Sequence, residues 1–181
     1  MVAAALQERT GFVRLSSDVV RKEIAGPAAA AAQPSEYEAG LYSRERSAAT
    51  YATMLARASG EIAAGRGVIL DATFQRRADR DALRALAAGR RVPLLFVECR
   101  CSEDEVRRRL EERGRRGGGE SDADWSVYLE QCKRYEAFAA DERDDTLAVD
   151  TEPGGRQVTQ AVEGALRRRM RDAACAAPPT S

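Results

Sequence analysis

Four short β-prone segments recur along the chain, and a stretch with helical spacing separates each one from the next. The four segments are Phe12–Leu15, Val68–Leu70, Val92–Cys99 and Leu147–Val149. Strands joined by helices run parallel, because the crossover helix carries the chain back to the start of the next strand. The alternation therefore predicts an α/β fold with a doubly wound parallel sheet between helices.

The helical stretches are recognised by apolar residues at spacings of three and four and by glycine or serine at their ends. They are Val2–Arg9, Ser17–Ala25, Leu41–Ala64, Arg77–Ala88, a helix capped by Ser102 that runs to about Arg113, Asp124–Ala139 and Arg156–Arg171. We expect one domain over residues 1–172, with a flexible lid at about residues 113–122. Residues 173–181 are predicted to form a disordered tail.

Composition excludes several kinds of site. Histidine is absent, so any general base must be a carboxylate. The four cysteines lack paired CxxC spacing, which argues against a zinc site. The cysteine usage also makes a reduced, cytoplasmic protein the default expectation. No apolar run reaches the length of a membrane span, and no signal peptide is recognisable. The net charge is zero, which gives little electrostatic support to nucleic acid as a partner.

The first residues that could carry chemistry follow the first strand. Ligands of open parallel sheets bind at the carboxyl ends of the strands, where Asp18 is expected. Asp18 and Arg21 are three residues apart, so a helix presents them on one face. The carboxylate could take a proton from an acceptor hydroxyl, and the planar guanidinium could hold a phosphate or another anion. The alternative, which composition alone favours, is a surface ion pair of Asp18 with Arg21 or Lys22.

A second acid, Asp71, directly follows the apolar segment Val68–Leu70. A buried strand that ends in an acid is the Walker B arrangement, which holds Mg²⁺ or its water shell. Many buried strands also end in an aspartate that caps a turn, which is the alternative here. Thr73 and Arg76 continue the same edge.

Arginine crowds the helix after Ser102 and the glycine-rich loop that follows it. The residues are Arg107, Arg108, Arg109, Arg113, Arg115 and Arg116, and the loop contains Gly117–Gly119. A mobile loop that carries arginine can close over a transferred phosphate and neutralise its charge. The alternative is a solvated helix face whose arginines pair with neighbouring acids.

In their order along the chain, these segments resemble those of a known family. The stretch Gly11–Gly26, with its Asp-x-x-Arg pattern, is similar to the second-strand region of P-loop kinases of the zeta-toxin and polynucleotide-kinase type. Within that group the likeness is to the AAA-type kinase domain of bifunctional proteins that also carry an aminoglycoside-phosphotransferase-like domain. Val68–Phe74 resembles the third strand, Val97–Arg113 the fourth strand and lid helix, and Ser121–Ala123 the segment after the lid. The resemblance covers roughly residues 2–172.

The resemblance implies roles for single residues. Asp18 matches the aspartate that activates the acceptor, and Arg21 the arginine that binds the acceptor or the transferred phosphate. Asp71 matches the acid on the metal side, which contacts Mg²⁺ through water. The candidates for substrate binding are Ser17, Lys22, Thr73 and Arg76, and those for the lid are Arg109, Arg113 and Arg116. ATP and Mg²⁺ are the implied cofactors, and a hydroxyl-bearing compound is the implied acceptor.

The sequence departs from that family at one point. These kinases begin with a strand, the loop G-x-x-x-x-G-K-[ST] and a helix, and the loop cradles the phosphates of ATP. No Gly-Lys dipeptide occurs in the chain, and Val2–Arg9 resembles the helix after the loop. We therefore expect a kinase domain truncated at its N-terminus, with an upstream segment fused or missing. Such a domain would lack the P-loop and the central first strand of a sheet in the order 2-3-1-4-5, and would bind ATP weakly.

The expected function is ATP-dependent phosphorylation of a hydroxyl on a small molecule or nucleotide, impaired in the chain as given. Two alternatives stay open. One is a non-catalytic remnant of the P-loop fold that acts as a binding module. The other is a polynucleotide 5′-hydroxyl kinase, against which the neutral net charge argues.

Overall fold

A computed structural model describes residues 2–29, 44–116, 125–152 and 155–176. The chain divides into two compact units. The first unit is Gln7–Thr73, and the second is Met1–Leu6 together with Phe74–Ser181. Each unit holds one pair of parallel strands with helices packed on it.

The helices and strands follow the predicted alternation. In chain order they are α1 (Val2–Thr10), β1 (Val13–Ser16), α2 (Ser17–Ala29), α3 (Arg44–Ala63), β2 (Val68–Asp71), α4 (Arg77–Arg90), β3 (Phe96–Arg100), α5 (Glu103–Arg116), α6 (Trp125–Arg134), a 3₁₀ helix (Ala140–Asp145), β4 (Thr146–Asp150) and α7 (Gly155–Ala176). The expectation of an α/β fold with parallel strands flanked by helices is confirmed.

In the first unit, β1 and β2 pair in parallel, from Val13 opposite Val68 to Ser16 opposite Asp71. Helix α3 buries a stripe of residues spaced four apart, Thr50, Met54 and Ala58, as expected for one face of a helix. Helices α2 and α3 pack together. Apolar burial of this kind contributes about 1.5–3 kcal/mol for each large side chain.

A close backbone approach fixes the entry into β1. A Cβ atom added at Gly67 would lie only 2.5 Å from ring atoms of Phe12, so that position accepts no side chain without a shift. The Val13 amide donates to the Gly67 carbonyl at 2.9 Å, which begins the β1–β2 ladder. Gly11 ends α1 with a φ of 70°, a conformation that glycine adopts without steric penalty.

In the second unit, β3 and β4 pair in parallel, from Phe96 opposite Thr146 to Arg100 opposite Asp150. Phe96 lies in the core, with its ring centroid 5.9 Å from that of Phe74 and 5.6 Å from that of Phe138. The other buried apolar residues of this unit include Leu83, Ala87, Val149, Val158, Val162 and Ala165. Strands and helices of the second unit thus share one apolar core.

A fully buried ion pair lies in the same core. Arg80 of α4 donates from Nε to Glu142 Oε1 at 2.6 Å and from Nη2 to Oε2 at 3.0 Å, and neither side chain is exposed to solvent. The remaining N–H groups of the guanidinium donate to backbone carbonyls of Phe74 (3.0 Å), Glu136 (2.9 Å) and Ala137 (3.4 Å). The guanidinium carbon also lies 4.4 Å from the ring centroid of Phe138. These hydrogen bonds from Arg80 hold the pKa of the Glu142 carboxyl below its ordinary value.

The predicted helix Asp124–Ala139 is too long, because α6 ends at Arg134. The carbonyls of Glu136 and Ala137 accept hydrogen bonds from Arg80, and the Glu136 amide donates to the Gln75 carbonyl at 2.9 Å. The Glu136 amide thus donates to Gln75 and not to the carbonyl four residues earlier, as it would in a continuing helix.

Other boundaries shift for local reasons. The strand predicted from Val92 begins only at Phe96, since Val92 donates to the Ala87 carbonyl and completes the end of α4. Helix α7 continues to Ala176 and so includes residues 173–176 of the predicted tail, whereas residues 177–181 lie outside the described part. In the residues described, no helix is long and apolar enough to cross a membrane.

Candidate active site

The first unit brings two predicted acids to one edge of its strand pair. Ser16 is the last residue of β1 and lies opposite Asp71, the last residue of β2. The chain passes from Ser16 directly into α2, so Asp18 stands in the first turn of a helix that begins at this edge. The positive end of the helix dipole favours a negative charge there. The carboxyl edge thus carries both acids that the sequence analysis selected.

Asp18 and Arg21 form the ion pair that their spacing predicts. Nη1 of Arg21 donates to Oδ1 of Asp18 at 2.6 Å, with 13% of the arginine side chain and 25% of the aspartate side chain exposed. Ser17, beside Asp18, is buried, whereas Lys22 is exposed. This geometry agrees with an acceptor site and with an ion pair alone, so the catalytic roles of both residues stay predictions.

Asp71 is bound by an arginine that the sequence analysis did not select. Arg14 of β1 donates from Nε to Asp71 Oδ2 at 2.9 Å, and its Nη2 lies 2.7 Å from the same oxygen. Arg14 is opposite Ile69 in the ladder, so its side chain is on the same face as that of Asp71. The sequence feature that could have pointed to Arg14 is its position as a charged residue in the middle of a short strand.

Two hydroxyl groups also meet at this edge. The Tyr51 hydroxyl of α3 lies 3.4 Å from Oγ1 of Thr73, and both groups are within reach of solvent. Thr73 follows Asp71 by two residues and is exposed. The predicted substrate-binding residue Thr73 therefore has a tyrosine neighbour.

Arg76, the last predicted residue of this edge, belongs to the second unit. It lies at the start of α4 and forms a bidentate ion pair with Asp79. Its Nε donates to Oδ2 at 2.9 Å, and its Nη2 donates to Oδ1 at 2.7 Å. This contact stabilises the first turn of the helix. Its predicted role in substrate binding stays a prediction.

The lid arginines that the structure describes are engaged within the second unit. Arg109 donates to Glu105 at 2.6 Å and, at the end of β4, to the hydroxyl (3.0 Å) and the carbonyl (2.7 Å) of Thr151. Hydrogen bonds from Arg108 and Arg109 lower the pKa of Glu105 to about 2. This pairing of arginines with acids is what the alternative of a solvated helix face predicts.

The remaining lid predictions are only partly described. Arg113 is half-buried on α5. The side chain of Arg116, residues 117–122 of the lid and the segment Ser121–Ala123 lie outside the described residues.

The donor set at the carboxyl edge fits a magnesium ion only in a limited way. The two arginine nitrogens share Oδ2 of Asp71, and Oδ1 has no hydrogen-bond partner in the described part of the chain. With 41% of its side chain exposed, Asp71 can contact a hydrated cation. Residues 2–29, 44–116, 125–152 and 155–176 contain no group of three or more acids or cysteines arranged to hold a metal. A single exposed carboxylate is compatible with Mg²⁺, because protein sites often hold this ion through one or two carboxylates together with substrate phosphates and water.

Parallel strands flanked by helices, with acids at their carboxyl edge, are the arrangement expected of a P-loop NTPase-like kinase fold. A sequence model of the AAA domain family matches residues 1–138, well over half of the chain. The chain therefore belongs to this family of AAA domains. No curated protein matches the chain.

Solved kinase structures share this fold. A gluconokinase from Sinorhizobium meliloti 1021 has a TM-score of 0.66 at 18% identity, over 94% of this chain and 86% of that one. A sugar kinase from Janibacter sp. HTCC2649 has a TM-score of 0.65 at 15% identity, over 95% and 88%. A putative kinase from Chloroflexus aurantiacus j-10-fl has a TM-score of 0.62 at 18% identity, over 93% and 88%. The expected P-loop kinase-like fold is confirmed, and the narrower zeta-toxin and polynucleotide-kinase group stays a prediction.

Proposed function

We propose that this protein is an ATP-dependent phosphotransferase that acts on a hydroxyl group of a small molecule. The observation that carries the proposal is the carboxyl edge of β1 and β2, where Asp18, Arg21 and Asp71 are assembled on the fold of the AAA domain family. In this reaction Asp18 would accept the proton of the acceptor hydroxyl as the acceptor oxygen bonds to the γ-phosphorus of ATP. The bond from that phosphorus to the β,γ-bridging oxygen breaks, and ADP leaves. The chain has no histidine to compete for that role.

Arg21 would perform two tasks in this reaction. Its Nη1 holds Asp18 at 2.6 Å, which fixes the direction in which the carboxylate faces an acceptor. Its positive charge would also attract an anionic acceptor or the transferred phosphate. Asp71 would hold Mg²⁺ through water, and the cation would neutralise charge on the phosphates of ATP.

We propose sugars, polyols and sugar acids as the first acceptor class to test. The support is the similarity in fold to a gluconokinase and a sugar kinase. Hydroxyl groups of Tyr51 and Thr73 at the same edge suit a polyhydroxylated acceptor, since each can donate and accept a hydrogen bond.

The residues that would bind the phosphate donor, ATP, are incomplete in this sequence. No Gly-Lys dipeptide occurs in the sequence, so the lysine that reaches the β- and γ-phosphates has no counterpart. We therefore propose that these 181 residues bind Mg-ATP weakly and turn over slowly. Calorimetric titration with Mg-ATP measures this directly, and tight binding with normal turnover would contradict it.

The proposed reaction is tested by transfer of radiolabelled phosphate from ATP to a panel of sugars, polyols and sugar acids. Asp18→Asn is expected to reduce transfer by about 10²–10⁴-fold, the usual contribution of a general base. The matched control is Glu23→Gln, which removes a carboxylate of the same helix that pairs with Arg57 at the surface. Equal activity of the Asp18→Asn variant and the wild type would refute the role of Asp18.

A binding module without catalysis is the second candidate, since the contact of Arg21 with Asp18 also agrees with an ion pair that has no catalytic role. Such a protein would bind an acceptor at the same edge and transfer no phosphate. Saturable binding of one compound from the panel, with no phosphate transfer over prolonged incubation, would select this candidate.

A further inference from the structure

We propose that Arg14 is a positioning residue that serves as the internal counter-ion of Asp71 and weakens the binding of a free divalent cation at the end of β2. This inference rests on the metal-side role of Asp71 in the proposed function. It concerns a contact between residues 57 positions apart in sequence, within the first unit.

The geometry of the pair supports this role. Arg14 and Asp71 lie on the same face of the strand pair. Arg14 is opposite Ile69, and Ile69 and Asp71 are two residues apart on β2, so their side chains share a face. Two of the three guanidinium nitrogens of Arg14, Nε and Nη2, approach the same oxygen, Oδ2, at 2.9 and 2.7 Å. The guanidinium therefore holds the carboxylate through Oδ2, which leaves Oδ1 for a hydrated cation.

Charge decides what this contact does to a cation. Arginine stays protonated at every physiological pH, so Asp71 always carries a fixed positive neighbour. A divalent ion held through water at Oδ1 would be about 6 Å from the guanidinium, where repulsion in water weakens binding about tenfold. The opposing effect is that Arg14 orients the short side chain of Asp71, which strengthens cation binding by only about twofold. Repulsion therefore wins, and Arg14 lowers the affinity for a free cation.

The functional consequence is a preference for a cation that arrives with an anionic ligand. Phosphate oxygens next to the cation would offset the positive charge of Arg14, whereas a free cation brings no such compensation. Asp71 thus remains available to a metal–nucleotide complex and does not collect free Mg²⁺.

The test uses Mn²⁺ alone as the probe and the full 181-residue chain. Paramagnetic broadening of the Ala72 amide signal in NMR spectra reports the occupancy of Asp71 at each Mn²⁺ concentration. Arg14→Met, which keeps the apolar stem and removes the charge, is expected to lower the midpoint concentration by about 5- to 10-fold. Arg14→Lys keeps the charge and loses the planar fork, so its midpoint is expected to stay within about twofold of the wild type.

Two further variants complete the test. Asp71→Asn is expected to abolish the broadening at Ala72, which ties the signal to this carboxylate. Arg57→Met removes the arginine of the Arg57–Glu23 surface pair in the same unit and is expected to leave the midpoint unchanged.

An unchanged or raised midpoint in the Arg14→Met variant overturns the inference about Arg14 and leaves the proposed kinase reaction untouched. Absence of broadening at Ala72 in both the wild type and the Arg14→Met variant overturns it as well, and then the fault lies with the metal role of Asp71. The far-ultraviolet circular dichroism spectrum checks that the variants fold. Arg14→Met is expected to change stability only slightly, because both partners of the ion pair are partly exposed.

Discussion

The buried pair of Arg80 and Glu142 provides a quantitative test of how the second unit is held together. Replacing Arg80 with methionine would leave the Glu142 carboxylate buried, with the Ala139 amide as its one remaining donor among the described residues, at 2.9 Å. The carbonyls that Arg80 now contacts would also lose donors. Removal of one partner of a buried pair destabilises a protein by about 3–5 kcal/mol. At about 2–4 °C per kcal/mol for a chain of this size, the melting temperature should fall by about 6–20 °C.

Urea denaturation followed by circular dichroism measures the loss, and a double-mutant cycle with Glu142→Leu identifies its cause. The double variant Arg80→Met/Glu142→Leu should be more stable than either single variant, because it leaves no unpaired buried charge. The control is Arg115→Met, whose partner Glu111 is 3.8 Å away in an exposed pair, and it should change stability by less than about 0.5 kcal/mol. A loss below about 1 kcal/mol for Arg80→Met, or strict additivity in the cycle, would refute the reasoning.

Further predictions concern pH and close packing. The pKa of Glu142 is lowered in the folded state by its arginine partner, so its contribution to stability is complete above the unfolded pKa of about 4.5. It is lost as the pH falls through the lower folded value, and urea titrations between pH 7 and pH 3 should show this loss in the wild type and much less in the Glu142→Leu variant. Gly67→Ala should lower the free energy of unfolding by about 1–3 kcal/mol, since its Cβ would lie 2.5 Å from the Phe12 ring. Gly60→Ala, in open space on α3, should instead raise it by about 0.5–1 kcal/mol in the same thermal melts. Thr151→Val removes a hydroxyl that both accepts at 3.0 Å and donates at 3.0 Å, and calorimetry should show a loss of about 1–3 kcal/mol.

The parts of the fold that sequence could predict are those that depend on near neighbours. The order of strands and helices follows from the spacing of apolar residues. The contact between Asp18 and Arg21 follows from a spacing of three on a helix. Likewise, the arginines of α5 find acids three and four residues away, as Arg108 does with Glu105 and Glu112.

The features that sequence could not predict depend on residues far apart. Arg14 reaches Asp71 only because the two strands pair in one register, and a shift by one residue would turn the side chains to opposite faces. The end of α6 at Arg134 depends on Gln75, about sixty residues earlier, whose carbonyl accepts from the Glu136 amide that a longer helix would have used. Arg80 itself falls in the buried stripe of α4 with Leu83 and Ala87, but nothing local selects Glu142 among the many acids.

The buried guanidinium of Arg80 also constrains which substitutions this sequence can accept in evolution. It joins the segment at Phe74 to the segment at Glu136 and to a carboxylate 62 positions away. A substitution of either charged partner alone passes through a destabilised intermediate, whereas a joint replacement by apolar residues does not. Among relatives that keep this core, positions 80 and 142 are thus expected to covary as a pair, either both charged or both apolar, while the exposed arginines of α5 drift independently.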